Sequence, residues 1–246
     1  MNEVMKLFQK IDNKKLELNQ KRPLTQGELH VLREEFLTSY TYNTTAIEGS
    51  TLTLQETALV LEGITIDKKP LKHHLEVIGH KDAFEYVEEL IKEKEEFSEK
   101  VIKEIHSLVL MDRREDRGVY RRIPVYISNT NYQPPQPYLI PKLMEDLILK
   151  YQKQLTQCHI IIAIANFHIQ FESIHPFIDG NGRTGRLLLN FELMKNGYLP
   201  IDIKFSDRKS YYDCFSVYHK YNDILPMVKL IANYELLELN KLLSVL

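Results

Sequence analysis

The chain has only two cysteines in 246 residues, Cys158 and Cys214, and they stand in no metal-ligand or redox spacing. That excludes a disulfide scaffold and fits a reducing compartment. A strong charge of either sign is also missing: 32 Lys and Arg against 34 Asp and Glu leave a net charge of −2. No overall field draws such a chain to nucleic acid or to an anionic membrane surface. Long hydrophobic runs are absent, and the most apolar stretch, Ile160 to Ala165, is too short to cross a bilayer. The N-terminus is polar and charged, without the apolar segment of a secretory signal. There is no low-complexity tract and no internal repeat. What remains is an ordinary globular composition, 43% hydrophobic and 27% charged, long enough to bury a sizeable core. A cytoplasmic enzyme or binding protein is the expectation.

The patterning is mainly helical. Thr25 and Glu28 have capping-box spacing, followed by an apolar stripe at Leu29, Leu32, Phe36 and Tyr40. That helix is expected to reach about Ile47 and stop at Gly49. Thr53 with Glu56 starts another, ended by Gly63. Residues 74–96 and 98–111 read as two more, the second capped by Ser98. Pro141 suits the first turn of a helix running to about Leu155. Residues 156–173 are apolar nearly all round, the mark of a central core helix, and the His175-Pro176 junction ends it. Another helix follows to Lys195, and residues 206–245 hold two or three more, with Pro226 between two of them. The exception is 118–140. There Val119, Ile123, Val125 and Ile127 alternate with other residues, and Ser128-Asn129-Thr130-Asn131 is turn chemistry. Pro134, Pro135 and Pro137 then forbid a central strand. A short β-hairpin with an extended arm is expected.

The densest chemistry lies in residues 175–186, His-Pro-Phe-Ile-Asp-Gly-Asn-Gly-Arg-Thr-Gly-Arg. Gly180-Asn181-Gly182 opens a helix, so its backbone N–H groups and the helix N-terminus can cradle phosphate. Arg183 and Arg186, three apart, can fork onto phosphate oxygens, and two of them suit a ligand with several phosphates. Asp179 conflicts with that ligand: a carboxylate beside phosphate costs about 4 kcal/mol per charge pair at intermediate dielectric. A cation between them removes the conflict, so Asp179 is expected to ligate Mg²⁺, with Mn²⁺ as a substitute. His175 titrates near neutrality and suits general-base work. His159 and His168 lie within the apolar helix and read as core histidines.

This segment matches the signature of the Fic family, His-Pro-Phe-x-Asp/Glu-Gly-Asn-Gly-Arg-x-x-Arg, at every specified position. The resemblance covers roughly residues 40–220. It implies a Fic-type helical bundle with a small β-hairpin flap at 118–140. It divides the chain into an N-terminal helical region (1–50) with an inhibitory helix, a catalytic core (51–225) and a C-terminal helix (226–246), together one compact domain. It implies a protein adenylyltransferase, or AMPylator, moving AMP from ATP to Ser, Thr or Tyr hydroxyls of target proteins and of itself, and releasing pyrophosphate. By resemblance His175 is the base and Asp179 the metal ligand. Gly180, Asn181 and Gly182 form the anion hole, Arg183 and Arg186 clamp the β- and γ-phosphates, and Phe177 anchors the loop. The flap holds the target backbone by strand addition. Tyr211 or Tyr212 contacts the adenine. Doc-like kinases of the family carry Ala and Lys where this chain keeps Gly182 and Arg183, which favours nucleotidyl over phosphoryl transfer.

Upstream, Thr44-Thr-Ala-Ile-Glu48-Gly49 matches the family's inhibitory motif, Ser/Thr-x-x-x-Glu-Gly/Asn. The resemblance pairs Glu48 with Arg186, in the place meant for the γ-phosphate. A triphosphate displaced from attack geometry loses about 10²-fold in rate. An enzyme silent at rest is expected. Two alternatives stay open: Glu48 aligning a water to remove AMP from modified protein, and a nucleotide-sensing or toxin–antitoxin module with little catalysis. Relatives often carry a winged-helix domain after the core. The residues beyond Tyr221 are too few for one, so direct nucleic-acid contact is not expected, nor is membrane association, while a homodimer is left open.

Overall fold

Side-chain caps set where the helices begin. Thr25 accepts from the Glu28 amide while the Glu28 carboxylate accepts from the Thr25 amide, and Thr53 and Glu56 repeat the arrangement. Ser98 accepts from the Val101 amide. Each such cap is worth about 1 kcal/mol. The computed structural model describes residues 2–127, 130 and 132–246. Its helices are α1 (Asn2–Asn19), α2 (Gln26–Ile47), α3 (Leu54–Leu61), α4 (Leu71–Lys92), α5 (Glu99–Val109), α6 (Ile140–Gln154), α7 (Ile160–Ile174), α8 (Asn181–Lys195), α9 (Arg208–Tyr221) and α10 (Leu225–Val245). Short 3-10 turns precede α6 and α9. Pro141 and Pro226 sit in the first turns of α6 and α10.

The apolar helix is central. Ile161, Ile164, Phe167, Ile169 and Phe171 are all buried, and α7 packs against α6, α8 and α10. It begins at Ile160, later than the pattern from Thr156 suggests, because His159 caps it by accepting from the Ile161 amide. The partner helix α8 packs in turn against α4, α5 and α2. The loop 175–180 therefore joins the two helices at the middle of the bundle, which holds it on both sides. At the periphery α1 lies against α10. The end of α2 is tied to the segment before α9: Asn43 donates to the buried Asp202 carboxylate and accepts from the Phe205 amide.

The hairpin expected over 118–140 differs. Among the described residues no strand forms, and the arm runs irregularly to the 3-10 turn at Pro137–Leu139. Ser128, Asn129 and Asn131 of the expected turn lie outside the described residues. Pro124, Pro134 and Pro135 offer no ladder donors. The carbonyls of Ile123 and Pro135 accept from the Arg121 guanidinium. Among the described residues no helix is long and apolar enough to cross a membrane.

Candidate active site

Helix α7 cannot continue past His175, because Pro176 follows. His175 takes the left-handed conformation instead, with φ 51° and ψ 60°. A non-glycine residue held there costs of order 1–3 kcal/mol and persists only when its surroundings over-determine it. They do so here. The His175 carbonyl accepts from Arg121 Nε at 2.8 Å, and the Pro176 carbonyl from the Arg121 amide at 2.9 Å. Asn181 bridges the Phe177 backbone, donating to its carbonyl and accepting from its amide, both at 2.9 Å. The His106 ring stacks on Phe177 with centroids 3.6 Å apart. His106 Nδ1 accepts from the Gly118 amide, so Nε2 carries the hydrogen and donates to the Asp179 carbonyl at 3.0 Å. Burial holds this imidazole neutral, with its pKa pulled down to about 4.

A neighbouring carbonyl likewise fixes the state of His175. Its Nδ1 lies 3.3 Å from the Glu172 carbonyl. A carbonyl only accepts, so Nδ1 carries the hydrogen and Nε2 keeps a lone pair. Burial lowers the pKa below the ordinary 6.5, which leaves the ring neutral at pH 7.

Beyond the loop Gly180 adopts φ 77° as the N-cap of α8, and the first intrahelical bond runs from the Thr184 amide to the Gly180 carbonyl. The amides before Thr184 have no intrahelical partner, and the helix end adds partial positive charge. The Asn181 side chain is spent on the loop, so it can offer an anion only its backbone. A Cβ at Gly182 would collide with the Glu48 carboxylate, so a side chain there would displace Glu48 from its present position.

The two arginines are both buried and point to different partners. Arg186 donates through Nη2 to Glu48 Oε1 at 2.7 Å and to the Thr44 carbonyl, and through Nε to the Thr44 hydroxyl at 2.7 Å. Burial by itself would pull the Arg186 pKa down, and the Glu48 carboxylate more than reverses it. Arg183 faces away, with Glu76 at 3.4 Å and Asp179 at 3.5 Å. Asp179 also meets the Lys72 ammonium at 3.2 Å. Burial would raise its pKa, but Arg183 and Lys72 outweigh that and hold it below the ordinary value.

A cavity of about 700 Å³ opens beside His175, Gly182 and Arg186, within the range of small-molecule sites. Glu48, Glu172, Tyr126, Tyr211 and Tyr212 also line it. Asp179 and Arg183 are not in its walls. The expected aromatics divide: Tyr211 is buried and its hydroxyl donates to His168 Nε2 at 2.8 Å. Tyr212 is 38% exposed, with its hydroxyl on the Ile47 carbonyl. His168 is a core histidine, as read from the apolar helix, whereas His159, also read as core, is half-buried and caps the helix from outside it.

The Fic/DOC family model matches residues 96–193. Fic-1 from C. elegans is 30% identical and superimposes with a TM-score of 0.87, covering 98% of this chain and 72% of its own. The chain belongs to the Fic/DOC family. A Fic domain containing signaling protein from Bacteroides thetaiotaomicron is similar over 96% of this chain and 95% of its own, at 26% identity and a TM-score of 0.84. Protein adenylyltransferase Fic from Drosophila ananassae is 34% identical over 242 residues, 92% of this chain and 47% of that protein. The protein of that name from Nematostella vectensis is also 34% identical, over 92% of this chain and 53% of its own. The chain spans about half the length of these curated relatives. The Fic-type helical bundle expected from the motif is the fold observed.

Arg121, Lys72, Glu76, His106 and Glu172 are brought to the site by the fold alone. None stands in a motif. The Gly118-Val-Tyr-Arg121 segment was read only as strand, and a basic residue within an apolar alternation was the available signal for Arg121.

Proposed function

We propose that this Fic protein is a protein adenylyltransferase that moves AMP from ATP to a Ser, Thr or Tyr hydroxyl and is held silent by Glu48. The observation that carries the reading is one cavity lined by a neutral imidazole with a free Nε2 lone pair, the glycine-opened start of α8 and Arg186. In the reaction the target hydroxyl gives its proton to His175 Nε2. Its oxygen bonds to the α-phosphorus, the bond from that phosphorus to the bridging oxygen of the β-phosphate breaks, and pyrophosphate leaves. The amides of Asn181 and Gly182 receive phosphate oxygens, joined by that of Gly180 once it leaves the Asp179 carboxylate. Arg186 takes the γ-phosphate once Glu48 has left, and Arg183 must turn from Glu76 and Asp179 to reach the β-phosphate. Tyr212, with its ring partly open to the cavity, is assigned to the adenine, and Tyr211 to the floor beneath. The target lies along the arm 118–140, whose Tyr126 and Ile127 line the cavity.

A divalent ion fits beside Asp179. Among the described residues no group of three or more His, Cys, Asp and Glu converges to hold a metal, so Asp179 would be its one protein carboxylate, and the ion would take the place the Lys72 ammonium now holds at 3.2 Å. One carboxylate completed by phosphate oxygens and water suits Mg²⁺, with Mn²⁺ as a substitute. When bound, the ion neutralises phosphate charge. Both cysteines are unpaired, which supports a cytoplasmic setting.

Glu48 fills the space the γ-phosphate needs. Glu48→Gly is expected to raise self-modification with labelled ATP by one to two orders of magnitude, roughly the cost of mispositioned reactants. A folded, ATP-binding Glu48→Gly protein no more active than wild type removes the inhibitory role. In that background His175→Ala should abolish transfer and spare ATP binding, and retained transfer would show that the base is another group.

A further inference from the structure

Arg121 is 4% exposed and, among the described residues, its guanidinium bonds to backbone carbonyls and to no carboxylate. Buried arginines are ordinarily paired with an acid, so this one needs another account. Its guanidinium donates to four carbonyls: Nε to His175 at 2.8 Å, Nη1 to Ile123 at 3.1 Å, and Nη2 to Pro135 at 2.6 Å and Ile174 at 3.4 Å. The carbonyls of Ile174 and His175 close α7, where orphan acceptors and the negative end of the helix dipole suit a cation. Capping explains those two bonds. It does not explain the two to Ile123 and Pro135, which draw together the two legs of the arm at its neck. Farther along, the Tyr132 ring stacks on His219 of α9 at 3.6 Å, and His219 pairs with Ser173 of α7 at 2.9 Å. The arm is thus tied at its neck to the residue that carries the base, and beyond it to the neighbouring helices.

We propose that Arg121 is the positioning residue of the base: it holds the left-handed turn at His175 that aims the imidazole, and it makes that aim depend on the arm along which the target lies. The proposal rests on the reading of His175 as the base. A planar guanidinium can reach both legs and the helix end at once, whereas a lysine ammonium keeps the charge but has one nitrogen for four acceptors. Arg121 also acts on the ring electrostatically. Burial lowers the proton affinity of His175 most, the Glu172 carbonyl, Glu48 and Asp179 raise it, and Arg121 lowers it.

The test uses the full chain carrying Glu48→Gly, with Arg121→Lys and Arg121→Met added separately. Two quantities are read: the His175 titration by NMR of labelled imidazole without nucleotide, and kcat and KM for ATP in self-modification. We expect both variants to lose kcat by about 10²-fold, the cost of a misplaced reacting group, with KM for ATP unchanged. Arg121→Met should also raise the His175 pKa, and Arg121→Lys should leave it closer to the parent. A lysine variant with parental kcat overturns the proposal. So does a parallel loss of kcat, ATP affinity and melting temperature with the His175 titration unmoved, which would make Arg121 a helix cap and no more. If Arg121→Met does not fold, the lysine variant decides alone. A parent that transfers no AMP defeats the proposed function, and the NMR titration still decides whether Arg121 governs His175.

Discussion

His175 combines a backbone conformation that costs energy with a tautomer chosen by its neighbour, and together these suit it to the base role proposed for it. The Glu172 carbonyl holds the hydrogen on Nδ1, and burial keeps the ring unprotonated. The sign of the pH dependence follows. For the proposed base the active form is the neutral one, and a pKa below 6.5 extends it toward acid. Self-modification by the Glu48→Gly protein, measured between about pH 5 and 8 where histidine titrates, should be flat near neutrality. Its acid limb should have a midpoint below 6.5; a midpoint above 6.5 would show that the ring is not desolvated as described. Arg186 is likewise defined by its partners, Glu48 and Thr44, with a phosphate proposed to replace Glu48. The twelve-residue motif announces both residues. It does not announce that Asn181 spends its side chain on the loop or that Arg183 turns to Glu76.

Helix α2 carries Glu48 at its C-cap, so under the proposed inhibition whatever anchors that helix also sets the strength of the latch. Asn43 is the anchor, bonded to Asp202, Ser39 and the Phe205 amide from a buried position. Asn43→Ala takes the acceptor from the Phe205 amide and one of three donors from Asp202, at about 1–3 kcal/mol. We expect an unfolding free energy in urea lowered by that much and raised basal self-modification from the protein with Glu48 intact. Lost stability with unchanged basal transfer would mean that the latch does not depend on this anchor. Most helix boundaries were legible because caps and prolines are local signals: Thr25, Thr53, Ser98, Pro141 and Pro226 all act within one turn. The arm was not, because alternation alone reads as strand, and only the fold shows the Ile123 and Pro135 carbonyls accepting from a guanidinium.

Across the whole molecule, buried titratable groups tilt stability with pH in two directions. Glu172 is pushed up to about 8 by burial and the Glu48 charge, and Glu235 up to about 7 by burial. Above pH 4.5 the unfolded chain releases these protons while the folded chain keeps them, so stability falls as pH rises toward 8. His80 and His168 are held near 3 and His106 near 4 by burial, against an ordinary 6.5. Unfolding lets them protonate, so stability falls as pH drops below 6.5. Between pH 6.5 and 8 the carboxyls govern the slope. The urea midpoint should decline across that interval, and Glu172→Gln, which cannot release a proton, should flatten the decline. An unchanged slope in that variant would show that Glu172 is ionised in the native state.

The sequence by itself determined what is local and contiguous. It marked the helix starts, the all-apolar central helix, the loop that joins it to α8, and a motif specific enough to name the family before any geometry. It also paired Glu48 with Arg186 by resemblance, and the structure places those atoms 2.7 Å apart. Only the tertiary structure decided which distant groups meet that loop: Arg121 on the His175 carbonyl, Lys72 against Asp179, His106 under Phe177, and Glu172 beside the latch. Such meetings depend on how helices pack, and side chains brought together from remote positions leave no periodicity or spacing to read.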